Sequence, residues 1–290
     1  MPLYLREADV AELLTTADAL AAVEGSFRRL ARGAVDNRPR DRLPLALCTS
    51  GTATLEAAVI LPVAIALMAG GIEFGRVYSV SSTADKSMRD AARYLARANA
   101  RSLGVIGCGW QAASQIASIR EALPSIERVV AYCRNAQRLD AFCRDHDCEP
   151  AGSHREAAEH EVVVTVTTSK DPVLRGDWLQ PGTLVCAVGA NDPRRRELDN
   201  AVLERAAFVC CDSRDDSRRE SGDLIEPVEQ GILDWLEVHE LQEVVAGDVQ
   251  GRASDDDLIV FKSNGIAAWD LAAGARVVEL ARERGAGLEL

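Results

Sequence analysis

Short apolar runs rich in β-branched residues alternate with helical stretches from Arg101 onward, and this alternation restricts the fold more than any other feature. Runs that are apolar at consecutive positions are typical of strands buried on both faces, and such strands separated by helices form a parallel sheet covered by helices. We therefore predict an α/β fold with a Rossmann-type, doubly wound parallel sheet. The predicted strands are 102–107, 127–132, 161–166, 183–188, 207–212 and 258–263. The predicted helices are 111–122, 136–144, 154–158, 200–206, 236–246 and 264–284.

A glycine-bearing turn joins the first of these strands to its helix. Gly107, Gly109 and Ala112 form the pattern G-x-G-x-x-A. In a dinucleotide-binding turn the first glycine permits a tight bend, the second lets the main chain reach a pyrophosphate, and the alanine lets helix and strand approach closely. Unpaired N–H groups at the start of the helix then hold the anion. The pattern predicts a dinucleotide site here.

The second predicted strand ends in AYCRN, without the acidic residue that would bind the ribose of NAD. Arg134 and Asn135 follow the strand, and Arg138 lies one helical turn further on. A guanidinium at this point can form a charge-assisted hydrogen bond to a 2′-phosphate. The segment therefore favours NADP as the cofactor, with NAD as the alternative if Arg134 is only a solvated surface side chain.

Charge and cysteine content exclude several classes of partner. The chain has 33 basic and 45 acidic residues and a net charge of −12, which repels phosphate backbones, so we expect no nucleic-acid partner. The eight cysteines include no CxxC pair, and the four histidines do not lie at metal-binding spacing, so we expect no metal. Cys108, Cys133, Cys186 and Cys210 lie in or beside apolar runs and are predicted to be buried thiols. We expect the mixed-sign run 212–223 to be a solvated helix start.

Four motifs in the carboxyl-terminal two thirds resemble the ornithine cyclodeaminase/mu-crystallin family. They are GVIGCGWQA, VVTVTTSKDPVLRGDWLQPGTLVCAVGANDPRRRELD, DSRDDSRRESGDL and SDDDLIVFKSNGIAAWDLAAGA, within residues 98–287, and residues 1–45 are similar to the start of that family. The resemblance implies an NAD- or NADP-binding Rossmann domain at 98–263. It also implies a homodimer, interconversion of amino acids with imino or 2-oxo acids, and a smaller dimerisation and substrate domain from 1–97 and 264–290. We expect this domain to be incomplete here, because an apolar helical segment at 48–90 interrupts it.

The resemblance also implies which residues line the cofactor and the substrate. The implied cofactor-binding residues are Gly107, Gly109, Trp110, Gln111, Ala112, Arg134, Asn135, Arg138, Thr167, Thr168, Val188, Gly189 and Ser263. The cyclodeaminases carry a catalytic aspartate where this chain has Asn191, and an amide cannot act as a general base. In this respect the chain resembles the ketimine-reductase branch, and Asn191 is the candidate catalytic residue. Asp192 precedes a proline and is expected to organise a turn.

The amino-terminal third departs from the family pattern. The family's G-V-K and R-T-A-A strings are absent, and only Arg40 remains as a candidate clamp for a substrate carboxylate. Residues 48–97 instead resemble the start of TadE-like pseudopilins, with sixteen uncharged residues at 57–72. Three interpretations stay open for this chimeric segment: a membrane helix through 52–74, a buried helix that replaces part of the family fold, and a loosely ordered remnant.

The sequence thus favours an NAD(P)-dependent oxidoreductase that transfers hydride to a cyclic imine or imino acid, as ketimine reductases do, with activity impaired by the missing substrate motifs. The charged amino terminus lacks the apolar core of a signal peptide, so we expect cytoplasmic residence, with inner-membrane association as the alternative. Two alternatives to the reductase remain. One is a membrane-associated, pseudopilin-like fusion protein with a passenger nucleotide-binding domain, and the other is an ornithine cyclodeaminase.

Overall fold

The computed structural model describes residues 3–4, 83–265, 282–284 and 288–289. Several predictions lie outside these residues: Arg40, the amino-terminal helix, the apolar stretch 57–72 and most of the final helix predicted at 264–284. Two short strands near the chain ends, β1 (Leu3–Tyr4) and β10 (Leu288–Glu289), pair antiparallel with each other.

An eight-stranded, fully parallel sheet forms the centre of the fold, which confirms the predicted α/β class. Its strands are β2 (Ser102–Ile106), β3 (Arg128–Tyr132), β4 (Glu149–Pro150), β5 (Val162–Thr165), β6 (Leu184–Ala187), β7 (Phe208–Cys211), β8 (Val238–Glu240) and β9 (Ile259–Lys262). They lie in the order β4-β3-β2-β5-β6-β9-β7-β8. From β2 the chain builds one half of the sheet and then crosses to β5 to build the other. The order therefore reverses between β2 and β5, and in open parallel sheets ligands bind in the crevice at such a point.

Eight helices accompany the sheet within residues 83–265. They are α1 (Thr83–Leu95), α2 (Trp110–Ala122), α3 (Ala136–His146), α4 (His154–Ala158), α5 (Asn200–Arg205), α6 (Arg214–Glu220), α7 (Gly222–Glu229) and α8 (Leu241–Ala246). A single 3₁₀ turn spans Gly176–Trp178. None of the described helices is long and apolar enough to cross a membrane.

Each face of the sheet is covered by its own apolar layer. Along α2, Ala112, Ile116 and Ile119 recur at a spacing of three and four residues and are buried with the inward side chains of α1. The opposite layer contains Leu198, Val202 and the other apolar side chains around α5.

Two segments differ from the sequence prediction. The predicted helix 236–246 begins only at Leu241, because Val238–Glu240 forms strand β8, which pairs with β7 at the edge of the sheet. The run 212–223, predicted as a solvated helix start, contains α6 with five buried polar residues around it. These are Asp212, Ser213, Ser217, Ser221 and Asp223. The prediction failed because the residues that point inward are hydrophilic, so the usual apolar spacing is missing.

The cysteine prediction is confirmed for most positions. All seven described cysteines are free. Cys108, Cys186 and Cys210 are buried as expected, whereas Cys133 is only half-buried, because it lies at the end of β3 where the chain leaves the sheet.

Candidate active site

A bend directly after β2 forms the centre of the candidate site. The Gly107 N–H donates to the Tyr132 carbonyl oxygen at 2.8 Å, and the Val166 N–H donates to the Ile106 carbonyl oxygen at 2.9 Å. These bonds hold the bend between the carboxyl ends of β3 and β5. Gly107 has φ 123°, in the left-handed region, and a Cβ there would lie 2.3 Å from the Val166 carbonyl oxygen. The bend therefore requires glycine at this position.

The amino end of α2 is open toward this bend. Gly109 is the N-cap residue, no side chain caps the helix, and the first turn contains no acidic residue. A Cβ on Gly109 would meet no heavy atom of the described residues within 4 Å. Trp110 is 52% exposed and Gln111 is exposed, whereas Ala112 is fully buried against the core. The Ala112 N–H donates to the Gly109 carbonyl oxygen at 3.1 Å, so the N–H groups of Trp110 and Gln111, which no side chain of the described residues caps, are the ones available to an anion.

The side chains that follow β3 divide into two groups. The Asn135 side chain accepts a hydrogen bond from the Arg138 N–H at 2.9 Å and caps α3, so its oxygen is already engaged. Arg134 and Arg138 are exposed, and neither forms an ion pair with another residue of the described ranges. Their guanidinium groups are therefore available to an anionic ligand beside the bend.

The loops after β5 and β6 carry the next set of predicted residues. Thr167 is half-buried and accepts a hydrogen bond from the Ser169 N–H at 3.1 Å, whereas Thr168 is exposed. Val188 is buried and its N–H donates to the Thr165 carbonyl oxygen, which extends the pairing of the two strands. A Cβ on Gly189 would lie 2.4 Å from the Thr167 N and O atoms. The two loops are therefore in direct main-chain contact.

A buried carboxylate, Glu197, joins these two loops. Its Oε1 accepts the Thr167 N–H at 2.6 Å, and its Oε2 accepts the Gly189 N–H at 2.7 Å and the Thr165 hydroxyl at 3.0 Å. The side chain is fully buried. Burial and the nearby Asp223 carboxylate raise the pKa of Glu197, while Lys262 and the Thr167 N–H act in the opposite direction.

Asp223 and Lys262 complete the charged cluster around Glu197. The Asp223 Oδ1 accepts the main-chain N–H groups of Glu197 and Leu198 at 2.7 and 2.9 Å. The Lys262 Nζ lies 3.4 Å from the Asp223 Oδ2 and donates to the Ala190 carbonyl oxygen at 2.5 Å. All three charged side chains are fully buried, so they form one network directly beneath the loop after β6.

A third buried carboxylate, Asp212, organises the turn after β9. The Asp212 Oδ2 accepts the Ser263 hydroxyl at 2.9 Å and the N–H groups of Asn264 and Gly265 at 2.8 and 2.6 Å. Ser263 is 1% exposed, so its hydroxyl points into the protein toward this carboxylate. Burial raises the pKa of Asp212 to about 6 despite these donors.

Asn191 and Asp192 follow the loop after β6. Asn191 is exposed. Asp192 pairs with Arg194, its Oδ2 lying 2.8 Å from the Arg194 Nη2, and its carbonyl oxygen accepts the Arg195 N–H. The Arg194 guanidinium, together with the Arg194 N–H that donates to the Asp192 Oδ1, holds the pKa of Asp192 well below its usual range, so this carboxylate stays ionised and closes a turn.

Sequence reasoning missed the buried charged residues Glu197, Asp212, Asp223 and Lys262. Two of them did have a signal in the sequence. Asp212 follows directly after the strand AFVCC, and Lys262 interrupts the apolar run LIVF in a chain with only three lysines. A charge inside or at the carboxyl end of a buried strand requires a partner. Glu197 and Asp223 lie in hydrophilic stretches and gave no such signal.

Comparison with protein-family models identifies two matches. The model of the ornithine cyclodeaminase/mu-crystallin family matches residues 83–285, and the model of TadE-like proteins matches residues 51–93. Both resemblances drawn from the sequence are thereby confirmed.

Curated proteins similar to this chain include two named reductive enzymes. An alanine dehydrogenase of Archaeoglobus fulgidus is 31% identical over 320 residues, which covers 99% of this chain and 98% of that protein. A Δ1-pyrroline-2-carboxylate reductase of Bacillus cereus is 35% identical over 205 residues. That match covers 68% of this chain and 62% of the reductase, so it spans less than two thirds of the reductase's length.

Solved structures share the fold. An archaeal alanine dehydrogenase dimer with bound NAD has a TM-score of 0.82 at 26% identity, over 99% of this chain and 98% of that one. The Δ1-pyrroline-2-carboxylate reductase of Thermococcus litoralis, in complex with NADH and L-proline, has a TM-score of 0.82 at 23% identity, over 100% of each chain.

Proposed function

The chain belongs to the ornithine cyclodeaminase/mu-crystallin family, and we propose that it is a nicotinamide-dependent oxidoreductase acting on a small cyclic imine or imino acid. Reduction of a C=N bond adds a hydride at carbon and a proton at nitrogen, and the reduced nicotinamide would supply the hydride. The observation that carries the proposal is the glycine bend at the reversal point of the sheet, where α2 begins uncapped beside open space at Gly109.

The residues at this bend fit a dinucleotide. Gly109 leaves room for a diphosphate to contact the main chain, and the first N–H groups of α2 have no competing carboxylate. The positive end of the helix dipole favours an anion at the same point. Trp110 and Gln111 are exposed beside it and would contact the ligand from the outer side.

We propose NADPH as the preferred cofactor, with NADH as the alternative. Support comes from Arg134 and Arg138, which are exposed at the end of β3 without an ion-pair partner among the described residues. Each guanidinium could bind a 2′-phosphate through a charge-assisted hydrogen bond of roughly 1.5–3 kcal/mol. The named relatives hold NAD or NADH, so NADPH and NADH must be compared directly.

The nicotinamide half of the cofactor would lie against the loops after β5 and β6. Thr167, Thr168, Val188 and Gly189 line this region from neighbouring strands. The Ser263 hydroxyl is engaged by Asp212, so Ser263 would act by shaping the turn after β9. The Thr167 and Thr168 side chains and the main chain at Gly189 would orient the ring and exclude water on the inner side.

On the substrate side, we propose Asn191 as the polar residue that contacts the imine and Arg40 as the clamp for its carboxylate. Asn191 is exposed at the carboxyl edge of the sheet, and its amide can donate or accept a hydrogen bond but cannot abstract a proton. This favours imine reduction over ornithine cyclodeamination. Because the G-V-K and R-T-A-A strings are absent, we expect cofactor binding with weak turnover.

We further propose a cytoplasmic homodimer in which the domain built from 1–97 and 264–290 provides the interface. The solved archaeal relative is a dimer. A second candidate function has its own support, since residues 51–93 match the TadE-like model. In that alternative, the chain is a membrane-associated fusion protein that carries the nucleotide-binding fold as a passenger.

Titration of the full-length protein with NADPH and NADH, followed by tryptophan fluorescence, tests the proposal. A saturable change is expected, and it should shrink in Trp110→Phe because Trp110 lies at the bend. Oxidation of NADPH in the presence of Δ1-pyrroline-2-carboxylate measures turnover. The absence of saturable binding of either cofactor at millimolar concentration would contradict the oxidoreductase.

Sedimentation separates the two candidate functions. A dimer in sedimentation supports the oxidoreductase, and sedimentation with membrane vesicles supports the membrane-associated fusion protein.

A further inference from the structure

We propose that Glu197 is a positioning residue of the cofactor site: its buried carboxylate holds the loops after β5 and β6 in the arrangement that receives the nicotinamide. The inference rests on the proposed function and adds a residue that the sequence did not indicate. Glu197 itself is buried and would act through Thr167 and Gly189, whose main chains it binds.

The geometry joins two loops through one side chain. The Oε1 accepts the N–H of Thr167 from the first loop, and the Oε2 accepts the N–H of Gly189 from the second. The Thr165 hydroxyl donates to the same Oε2. All three donors point at one carboxylate, so an acceptor is required on both oxygens. An uncharged amide offers an acceptor on one side only and sets N–H against N–H on the other.

Close packing around the Glu197 carboxylate restricts the positions of the two loops. A Cβ on Gly189 would lie 2.5 Å from the Glu197 Oε1 and 2.4 Å from the Thr167 main chain. The two loops therefore meet at main-chain distance around the carboxylate, and a shift of either N–H would move the surface that Thr167 and Gly189 present to the ligand.

Burying the charged groups around Glu197 costs free energy, and side-chain packing alone does not explain why charged residues occupy these positions. The charged groups that face it are Asp223 of α7 and Lys262 of β9, so two carboxylates share one ammonium group in the interior. Well-packed apolar side chains are often at least as stable as such a cluster. Lys262 also donates to the Ala190 carbonyl oxygen, and Asp223 accepts the Glu197 N–H. Every member of the cluster thus contacts the loop after β6 or the segment that carries Glu197.

The effect of protonating Glu197 on cofactor affinity distinguishes a positioning role from a purely structural one. Protonation places a hydrogen on one carboxyl oxygen and makes that oxygen a weaker acceptor, so the N–H groups of Thr167 and Gly189 are no longer both held by a charged oxygen. Burial and Asp223 raise the pKa of Glu197, so this change occurs at a higher pH than for an ordinary glutamate. Cofactor affinity should therefore fall as the pH is lowered, in a step that depends on Glu197.

The test compares wild type with Glu197→Gln and with Glu204→Gln, an exposed glutamate that makes the same change of charge. NADP⁺ and NAD⁺ binding is measured between about pH 5 and pH 8 by calorimetry, because the oxidised cofactors survive acid. Thermal unfolding is recorded in parallel. We expect Glu197→Gln to bind the cofactor roughly tenfold or more weakly than wild type at pH 8, a loss that corresponds to one charge-assisted hydrogen bond. We also expect it to lose the acid-dependent step. Glu204→Gln should match wild type.

A second variant retains the carboxylate. Thr165→Val removes one donor to the Glu197 Oε2, which disfavours the ionised form, so the acid step in cofactor affinity should move to higher pH. This variant decides the question if Glu197→Gln does not fold.

The outcomes separate this inference from the proposed function. If wild type binds cofactor and Glu197→Gln binds it with equal affinity and the same pH profile, the positioning role is overturned while the proposed function stands. The positioning role is likewise overturned, and the proposed function stands, if Thr165→Val leaves the pH of the acid-dependent step unchanged. If wild type binds neither NADP⁺ nor NAD⁺, both are overturned.

Discussion

Gly107 and Gly109 lie two residues apart in one bend, yet their surroundings are opposite. A Cβ on Gly107 would lie 2.3 Å from the Val166 carbonyl oxygen, whereas a Cβ on Gly109 would meet no heavy atom within 4 Å in the part of the chain that the structure describes. The first glycine is therefore required by the protein itself, and the space beside the second is available to a ligand. At this one turn, a substitution of Gly107 therefore tests folding, and a substitution of Gly109 tests ligand binding.

The two glycines give a matched pair of substitutions. Gly107→Ala should lower the free energy of unfolding by roughly 1–3 kcal/mol or more, because its φ of 123° is strained for alanine and the methyl group has no space. Gly109→Ala should change that free energy by at most about 1 kcal/mol, since φ −85° suits any residue. It should nevertheless weaken NADPH binding tenfold or more. Urea unfolding and fluorescence titration measure the two effects, and normal NADPH binding by Gly109→Ala would refute the diphosphate assignment.

Cofactor preference should depend on the arginines after β3. Arg134→Ala is expected to weaken NADPH binding by roughly ten- to hundredfold, the equivalent of one charge-assisted hydrogen bond, and to leave NADH binding unchanged. Arg138→Ala should act in the same direction. Arg144→Ala removes an exposed guanidinium from the far end of α3 and serves as the control. Equal losses for NADPH and NADH would show that these arginines do not recognise a 2′-phosphate.

Asp212 should make stability depend on pH. Its pKa is raised to about 6 from an ordinary value of 3.8, so between those values the native state binds the extra proton. The free energy of unfolding that Asp212 contributes therefore falls as the pH rises from about 4 to about 6, by about 3 kcal/mol in total.

Asp212→Asn should abolish this dependence. The difference in unfolding free energy between wild type and variant should shrink, or change sign, as the pH rises through that window in urea titrations. Asp171→Asn, which removes an exposed carboxylate and makes the same change of charge, is the control. A constant difference for Asp212→Asn would mean that its carboxylate titrates normally.

Asn191 should affect chemistry rather than cofactor binding. Asn191→Ala is expected to lower kcat/KM for a cyclic imine such as Δ1-pyrroline-2-carboxylate by about tenfold, because one hydrogen bond to the reacting group is lost. NADPH affinity should stay within about twofold of wild type, since the side chain is exposed beyond the loop after β6. A fall in NADPH affinity with unchanged kcat/KM would place Asn191 on the cofactor side instead.

Local pattern was sufficient where adjacent residues carry the structural information. The consecutive apolar residues of β2, β5 and β9 predicted buried parallel strands, and the G-x-G-x-x-A turn predicted the bend before α2. Local pattern was insufficient at Val238–Glu240. These three residues form a strand only because they pair with the free edge of β7. In the run 212–223, the residues that point inward are serines and aspartates, so hydrophobic spacing could not reveal their burial.

The amino-acid sequence by itself determined the fold class, the family and the glycine turn before α2, because each depends on residues close together in the chain. Only the tertiary structure brought Glu197, Asp223 and Lys262 together, from positions 65 residues apart, beneath the loop after β6. It also decided that these charges lie in the interior, since burial is a property of the packed sheet and helices and not of the residue. The raised pKa values of Glu197 and Asp212 follow from that burial, which removes the water that would otherwise stabilise their charge.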